Sequence, residues 1–196
     1  MLLKDKTAVI TGSNRGIGKE ILKIFSKNGA NIFACSRNLD GNFTSFLKDL
    51  EKKYKNSIIP IKLDLTDENE IKEAANKILK MGESIDTLIN NAGAIHTALF
   101  QMTSKKKLEE IFEINFFSQS IFTQYIIKSM IKRKNGNITY ISSTASIEGN
   151  IGRSAYAASK AAINSQAKVL SKELGVHNIR VNAIAPGLTD TDMMTE

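Results

Sequence analysis

Tyr156 and Lys160 stand four positions apart, the spacing that places two side chains on one face of a helix. A phenol of ordinary pKa, about 10, needs help worth about 4 kcal/mol to exchange a proton near pH 7. An ammonium about 4–5 Å away supplies about 3–4 kcal/mol at an effective dielectric of ~20. The two magnitudes match, so the pair can form a proton donor tuned by its neighbour. Lysine is frequent in this chain, yet Tyr156 is the only one of its four tyrosines with a lysine at i+4. Asn115 is a second candidate. It interrupts a mostly apolar stripe of Leu108, Ile111, Phe112, Phe116 and Gln119, where an asparagine is either held by backbone groups or takes part in chemistry.

A different chemistry resides near the N-terminus. Gly12-Ser13-Asn14-Arg15-Gly16-Ile17-Gly18 follows a short apolar run and opens a helical pattern. Glycines there permit a tight turn and let the backbone approach a pyrophosphate, whose charge rests on the helix N-terminus. About 20 residues on, where an NAD site carries an acid for the ribose 2′-hydroxyl, the chain reads Cys35-Ser36-Arg37. A carboxylate would repel a 2′-phosphate, whereas an arginine fork grips it. Arg15 and Arg37 bordering one pocket predict NADP as the cofactor.

These groups need a scaffold, and the sequence supplies an alternation of strand and helix. Apolar runs at Thr7 to Ile10, Ile32 to Cys35, Ile58 to Leu63, Thr87 to Ile89, Asn137 to Ile141 and Ile179 to Ile184 predict strands. Helical spacing predicts a first helix from Ile17, closed by Asn28-Gly29, and others over Phe43 to Tyr54 and Glu68 to Met81, the latter capped by Asp67. A long helix follows over Thr103 to Arg133, then one over Ser154 to Leu174 capped by Gly175. Continuous apolar strands separated by helices imply a parallel sheet covered on both faces. With 196 residues, 42% hydrophobic and 24% charged, one domain spanning residues 1–196 is expected.

Composition narrows the function. The net charge of +7 comes from lysines spread along the chain, with Lys105-Lys106-Lys107 the only short run, which fits a solvated surface rather than a nucleic-acid face. His96 and His177 lie apart from each other and from Cys35, so no metal site is expected. No apolar run is long enough for a membrane helix or a leader, and a single cysteine fits a reducing cytoplasm.

Taken together, the glycine turn, Asn90-Asn91-Ala92-Gly93, Asn115, Ser143, Tyr156-Ala157-Ala158-Ser159-Lys160 and Pro186-Gly187 resemble the short-chain dehydrogenase/reductase family, in order and spacing along the whole chain. The resemblance implies a doubly wound Rossmann fold and hydride transfer between a nicotinamide and a small carbonyl substrate. Tyr156 would be the general acid and Ser143, rather than the adjacent Ser142, would hydrogen-bond the carbonyl oxygen. Lys160 would hold the nicotinamide ribose, and Asn115 would order a proton-relay water. Asp64 and Leu65 would meet the adenine, Asn91, Ala92, Gly93, Pro186 and Gly187 would line the cofactor, and Thr189 with Thr191 would face the nicotinamide and phosphates.

Within the family the nearest likeness is to 3-oxoacyl-[acyl carrier protein] reductases, implying a substrate carried by an acidic protein. Basic helix ends at Lys128, Lys132, Arg133, Lys134, Lys168 and Lys172 suit that partner, although solvated lysines explain them equally well. Sugar, polyol or steroid reduction, or an inactive cofactor-binding scaffold, are the alternatives. Family members continue past Pro186-Gly187 with a substrate lid and a last strand. This chain ends at Glu196, so both are expected to be missing. Finally, Ile114, Phe117, Ile121 and Tyr125 make a second apolar stripe around the Asn115 helix, and Ala155, Ala158, Ala161 and Ala162 leave room for close approach on the next. A homodimer, or homotetramer, packed through these helices is expected.

Overall fold

The computed structural model describes residues 1–81 and 84–190. Six strands form one fully parallel sheet in the order β3-β2-β1-β4-β5-β6. They are β1 (Thr7–Thr11), β2 (Asn31–Ser36), β3 (Ile58–Lys62), β4 (Thr87–Asn90), β5 (Gly136–Ile141) and β6 (Ile179–Ile184). The helices between them are α1 (Gly16–Lys27), α2 (Gly41–Tyr54), α3 (Glu68–Lys80), α4 (Lys105–Phe112), α5 (Ser118–Arg133), α6 (Ala145–Glu148) and α7 (Ser154–Glu173). From β1 the chain builds outward to β2 and β3, then returns to lay β4 on the other side of β1. That reversal opens a crevice at the C-terminal ends of β1 and β4, where open α/β sheets bind ligands.

Two cores sandwich the sheet. On one face Leu22 of α1 and Phe43, Leu47 and Leu50 of α2 pack on Ala8, Ile10, Ile32 and Ala34. On the other, Ile71 and Ile78 of α3, Phe122, Ile126 and Met130 of α5, and Ile163 and Ala167 of α7 cover Val9, Phe33, Leu88 and Ile138. Strands buried on both sides explain why β1 and β2 read as unbroken apolar runs. Pro60 is tolerated because β3 is an edge strand, paired only with β2.

Four expectations need correction. The helix predicted from Phe43 starts at Gly41, because the Asp40 carboxylate caps it by accepting the Phe43 N–H at 2.8 Å. Gly175 does not cap α7. It opens a single 3-10 turn (Gly175–His177), and the left-handed residue that ends the segment is Asn178, at φ 55°. β6 is not covered on both faces: Ile179 and Val181 are buried while Arg180, Asn182 and Ile184 are exposed, and its outer edge is unpaired among the described residues. The long helix over Thr103 to Arg133 is α4, a π-turn (Glu113–Phe117) and α5, preceded by a separate 3-10 turn (Phe100–Met102). The π-turn adds one residue, so Ile111 and Met130, both buried, stand one residue further apart than five turns of regular helix. Part of the second apolar stripe, Ile114, Ile121 and Tyr125, packs on the chain's own core, leaving Phe117 half exposed beside Phe116.

Candidate active site

A cleft of about 1230 Å³ runs along the C-terminal edge of the sheet, from Arg37 at one end to Tyr156 at the other. Its floor is the glycine turn. Gly12 has φ +64°, and a Cβ there would lie 2.9 Å from the Cα of Ala92, so only glycine lets the β1 and β4 loops approach this closely. Gly18 is packing rather than lining: its Cβ would fall 2.1 Å from the Gly12 carbonyl oxygen. The turn is fastened to the β4 loop by Asn91, whose Nδ2 donates to the carbonyls of Thr11 and Gly12 at 3.0 and 3.1 Å. Thr11 returns the tie, its Oγ1 accepting from the N–H groups of Asn91 and Ala92 at 3.0 Å each. Helix α1 begins behind Arg15, which adopts extended backbone and makes no side-chain cap, so the first N–H groups of the helix are available to an anion.

Ser13 does not face the cleft. It is fully buried, and both its N–H and Oγ–H donate to the Cys35 carbonyl at 3.0 Å, tying the turn to β2. Arg37 is exposed at the end of β2 and lines the cleft with Asn38 and Arg15. Asp64 lines it too. Its Oδ1 accepts from the backbone and hydroxyl of Thr66, at 2.9 and 2.7 Å.

The segment 115–123 acts as a clamp. Ser118 Oγ donates to the Leu65 carbonyl at 2.5 Å, and Gln119 Nε2 to the Ala92 carbonyl at 2.5 Å. Asn90 Nδ2 donates to Thr123 Oγ1 at 2.9 Å. Asn115, fully buried, accepts from the Ala94 N–H at 2.8 Å and donates to the Ala94 carbonyl and to Ser159 Oγ, each at 2.9 Å. Its side-chain amide is thus spent on the Ala94 loop and on α7, and it does not line the cleft. Ser118, Gln119 and Thr123 were missed as candidates. Their signal was present: polar residues recurring on the buried face of an apolar helix.

At the far end, Tyr156 is 9% and Lys160 3% exposed, and both line the cleft. The Lys160 Nζ donates to the Ile141 carbonyl at 2.7 Å and lies 5.9 Å from the centre of the Tyr156 ring. Burial pushes the Lys160 pKa down to about 8, which still leaves it an ammonium at pH 7. Gly93 leaves the approach open, because a Cβ there would sit 3.1 Å from Asn115 Oδ1 and 3.4 Å from the Lys160 Nζ. The two serines after β5 part company. Ser142 is buried and donates to the Lys160 carbonyl at 3.2 Å, so it braces α7. Ser143 is half-buried, its Oγ accepting only a long bond from the Ala145 N–H at 3.2 Å. Pro186 and Gly187 run alongside, the Pro186 carbonyl accepting from the Thr144 N–H at 3.0 Å.

Of the residues selected from sequence, Gly12, Asn14, Arg15, Gly16, Ile17, Arg37, Asp64, Leu65, Asn91, Ala92, Gly93, Ser143, Tyr156, Lys160, Pro186, Gly187 and Thr189 line this one cleft. Ser13, Gly18 and Asn115 stand behind it, and Thr191 lies outside the described residues. Cationic and N–H-rich at the glycine turn, hydroxyl-rich at Tyr156, and larger than most small-ligand pockets, the cleft fits a dinucleotide with a small substrate beside it.

The short chain dehydrogenase family model matches residues 6–196. A 3-oxoacyl-[acyl-carrier-protein] reductase from Thermotoga maritima is 37% identical over 193 residues, covering 98% of this chain and 78% of that protein. A 3alpha-hydroxysteroid dehydrogenase from Mediterraneibacter gnavus is 34% identical over 195 residues, covering 99% and 78%. Among solved structures, one from Beutenbergia cavernae, described as an NAD(P)-dependent gluconate 5-dehydrogenase with bound NADP, superposes with a TM-score of 0.91 at 28% identity, over 98% of this chain and 76% of that one. Fold, cleft and relatives agree: the chain belongs to the short-chain dehydrogenases, a family of NAD(P)-dependent oxidoreductases.

Proposed function

We propose that residues 1–196 act as one dinucleotide-binding domain that also carries the catalytic groups, and that it interconverts a ketone and an alcohol using NADP(H). The observation that carries this reading is the sharing of one cleft by Arg15 and Arg37 at one end and Ser143, Tyr156 and Lys160 at the other. NADPH, when bound, supplies the hydride for the carbonyl carbon. The α1 N-terminus and the glycine turn hold its pyrophosphate, and Arg15 and Arg37 select the 2′-phosphate, since among the described residues no carboxylate lines that end of the cleft beyond Asp64.

Ser143 Oγ–H and Tyr156 O–H both donate to the substrate oxygen. As negative charge develops there, the Tyr156 proton moves onto it, and the new O–H bond completes the alcohol. The Lys160 ammonium faces the phenolate left behind and binds the ribose hydroxyls. Asn115 is a positioning residue: by fixing Ala94 and Ser159 it sets the distance between the β4 loop and α7. Both Nδ2 hydrogens are used on Ala94 and Ser159, and a relay water would be held by an acceptor of this residue, the second lone pair of Oδ1 among them. The reductases among the relatives make 3-oxoacyl compounds the first substrates to assay.

Removing only the phenolic oxygen tests the mechanism. Tyr156→Phe is expected to lower the rate of carbonyl reduction by at least about 10²-fold, the lower range for a lost general acid, while NADPH binding by fluorescence titration is retained. Substantial reduction by Tyr156→Phe would remove Tyr156 as the proton donor.

A further inference from the structure

The substrate end of the cleft is walled by two loops, 94–98 after β4 and 149–153 before α7. They are strapped together: the Ala98 N–H donates to the Gly152 carbonyl at 2.9 Å, and a Cβ on Gly152 would meet Thr97 Cγ2 at 3.5 Å. Ile95, Thr97, Ile151 and Arg153 line the cleft from this wall. Arg153 is in an unusual place. It occupies the N-cap of α7, makes no side-chain cap, and finds no acidic residue in the first turn. A cation at a helix N-terminus faces the positive end of the dipole, and Ser, Thr, Asp or Asn would serve stability better there.

Among the described residues nothing compensates. The Arg153 side chain is half-buried and enters no ion pair or side-chain hydrogen bond among the described residues. Among the described residues two carboxylates line the cleft. Asp64 belongs to the nucleotide end, and Glu148, exposed on the last residue of α6, is not within ion-pair distance of Arg153. Arg153 stands one helical turn before Tyr156, the Ala157 N–H donating to its carbonyl at 2.7 Å. Residues three apart on a helix have Cβ atoms about 5–6 Å apart. Arg153 and Tyr156 thus border the same end of the cleft, where one small molecule can meet both. The guanidinium fork matches a carboxylate, with two parallel N–H donors for two oxygens.

We propose that Arg153 binds a carboxylate of the substrate, so that this chain acts on short oxo acids and the corresponding hydroxy acids. The proposal rests on the reductase reading above but names a different group and a different residue. It separates this chain from neutral ketones, and from 3-oxoacyl thioesters, which lack the charge.

The test uses a dead-end complex, in which no turnover is needed. The chain saturated with NADP⁺ is titrated calorimetrically with 3-oxobutanoate and with its methyl ester. The acid is expected to bind at least tenfold tighter than the ester, a difference of about 1.4 kcal/mol. Arg153→Gln should bring acid and ester to within twofold of each other, and Arg153→Lys should keep part of the preference. Ester binding equal to or tighter than the acid in the unsubstituted chain overturns the proposal without any variant. So does an Arg153→Gln that weakens acid and ester alike, or an absence of acid binding. A chain that binds the acid selectively yet shows no reduction by NADPH would refute the proposed activity while sustaining Arg153 as the carboxylate site.

Discussion

Replacing Lys160 with methionine should make the cofactor-free protein more stable at pH 7 while disabling it. Burial lowers the Lys160 pKa from 10.5 to about 8, and at 1.36 kcal/mol per unit the charged side chain destabilises the fold by about 3 kcal/mol. Between about pH 8 and 10.5 the unfolded chain holds this proton and the folded chain releases it. The unfolded state therefore binds more protons, and stability rises with pH through that window. Below pH 8 the full destabilisation is present. Methionine is uncharged and of similar length, so the substitution removes it. Against this stands the 2.7 Å hydrogen bond to the Ile141 carbonyl, whose loss in a buried place costs about 1.5–2.5 kcal/mol. The net gain at pH 7 is about 0.5–1.5 kcal/mol, or roughly 1–6 °C in Tm for a chain of this size. Thermal unfolding of both proteins without cofactor at pH 7, 8, 9 and 10 reads it directly, and the advantage of Lys160→Met should be gone by pH 10. Saturating NADPH should raise the Tm of the unsubstituted chain more than that of the variant. A variant less stable at pH 7, or a difference indifferent to pH, would refute the assignment of a buried, strained ammonium.

Three further outcomes are expected. Arg37→Asp should turn a preference for NADPH over NADH of at least about tenfold toward NADH, and equal titration curves for the two cofactors in the unsubstituted chain would sink the 2′-phosphate assignment. Gly18→Ala places a Cβ 2.1 Å from the Gly12 carbonyl oxygen, so the turn must open; loss of several degrees in Tm together with weakened cofactor binding checks it, and a silent substitution would show that α1 can shift. Light scattering at micromolar concentration is expected to give a two-fold dimer packed through α5 and α7, with Phe117 and Val169, both about half exposed in the single chain, covered in the contact; a clean monomer refutes it.

Much of the fold was legible because its signals are local. Apolar runs marked all six strands, and glycines at 12, 16 and 18 fixed the turn. Tyr156 and Lys160 needed only the helical period to be placed together. What escaped depends on contacts between distant segments. Nothing in Glu113 to Phe117 announces a π-turn. The turn coincides with Asn115 reaching Ala94 while Ser118 and Gln119 reach Leu65 and Ala92, three tertiary bonds to distant segments. The same non-local bonding shows what the Asn115 amide holds, the Ala94 loop and Ser159. It also separated Ser142 from Ser143, which are equivalent by composition, by which of them meets the Lys160 carbonyl. Arg153 is legible only once the capping position and the cleft are known together.

Two positive groups stand where stability argues against them, and both line one cleft. Arg153 occupies the N-cap of α7, adding a cation to the positive end of a helix dipole, a placement that typically costs about 0.3–1 kcal/mol. Lys160 holds its charge in the interior at a larger cost. Such departures from local consistency concentrate at functional sites. On the proposed reading their common sign matters for the ligand. At the glycine turn the helix N-terminus would meet phosphate, and beside Tyr156 Arg153 would meet a second, smaller anion. Between them the Lys160 ammonium would meet neutral hydroxyls and a transient phenolate. A neutral ligand would relieve none of these costs, so binding should stabilise this fold in proportion to the negative charge the ligand carries, and the stabilisation should weaken with added salt at the exposed Arg37 end before it weakens at the buried Lys160 end.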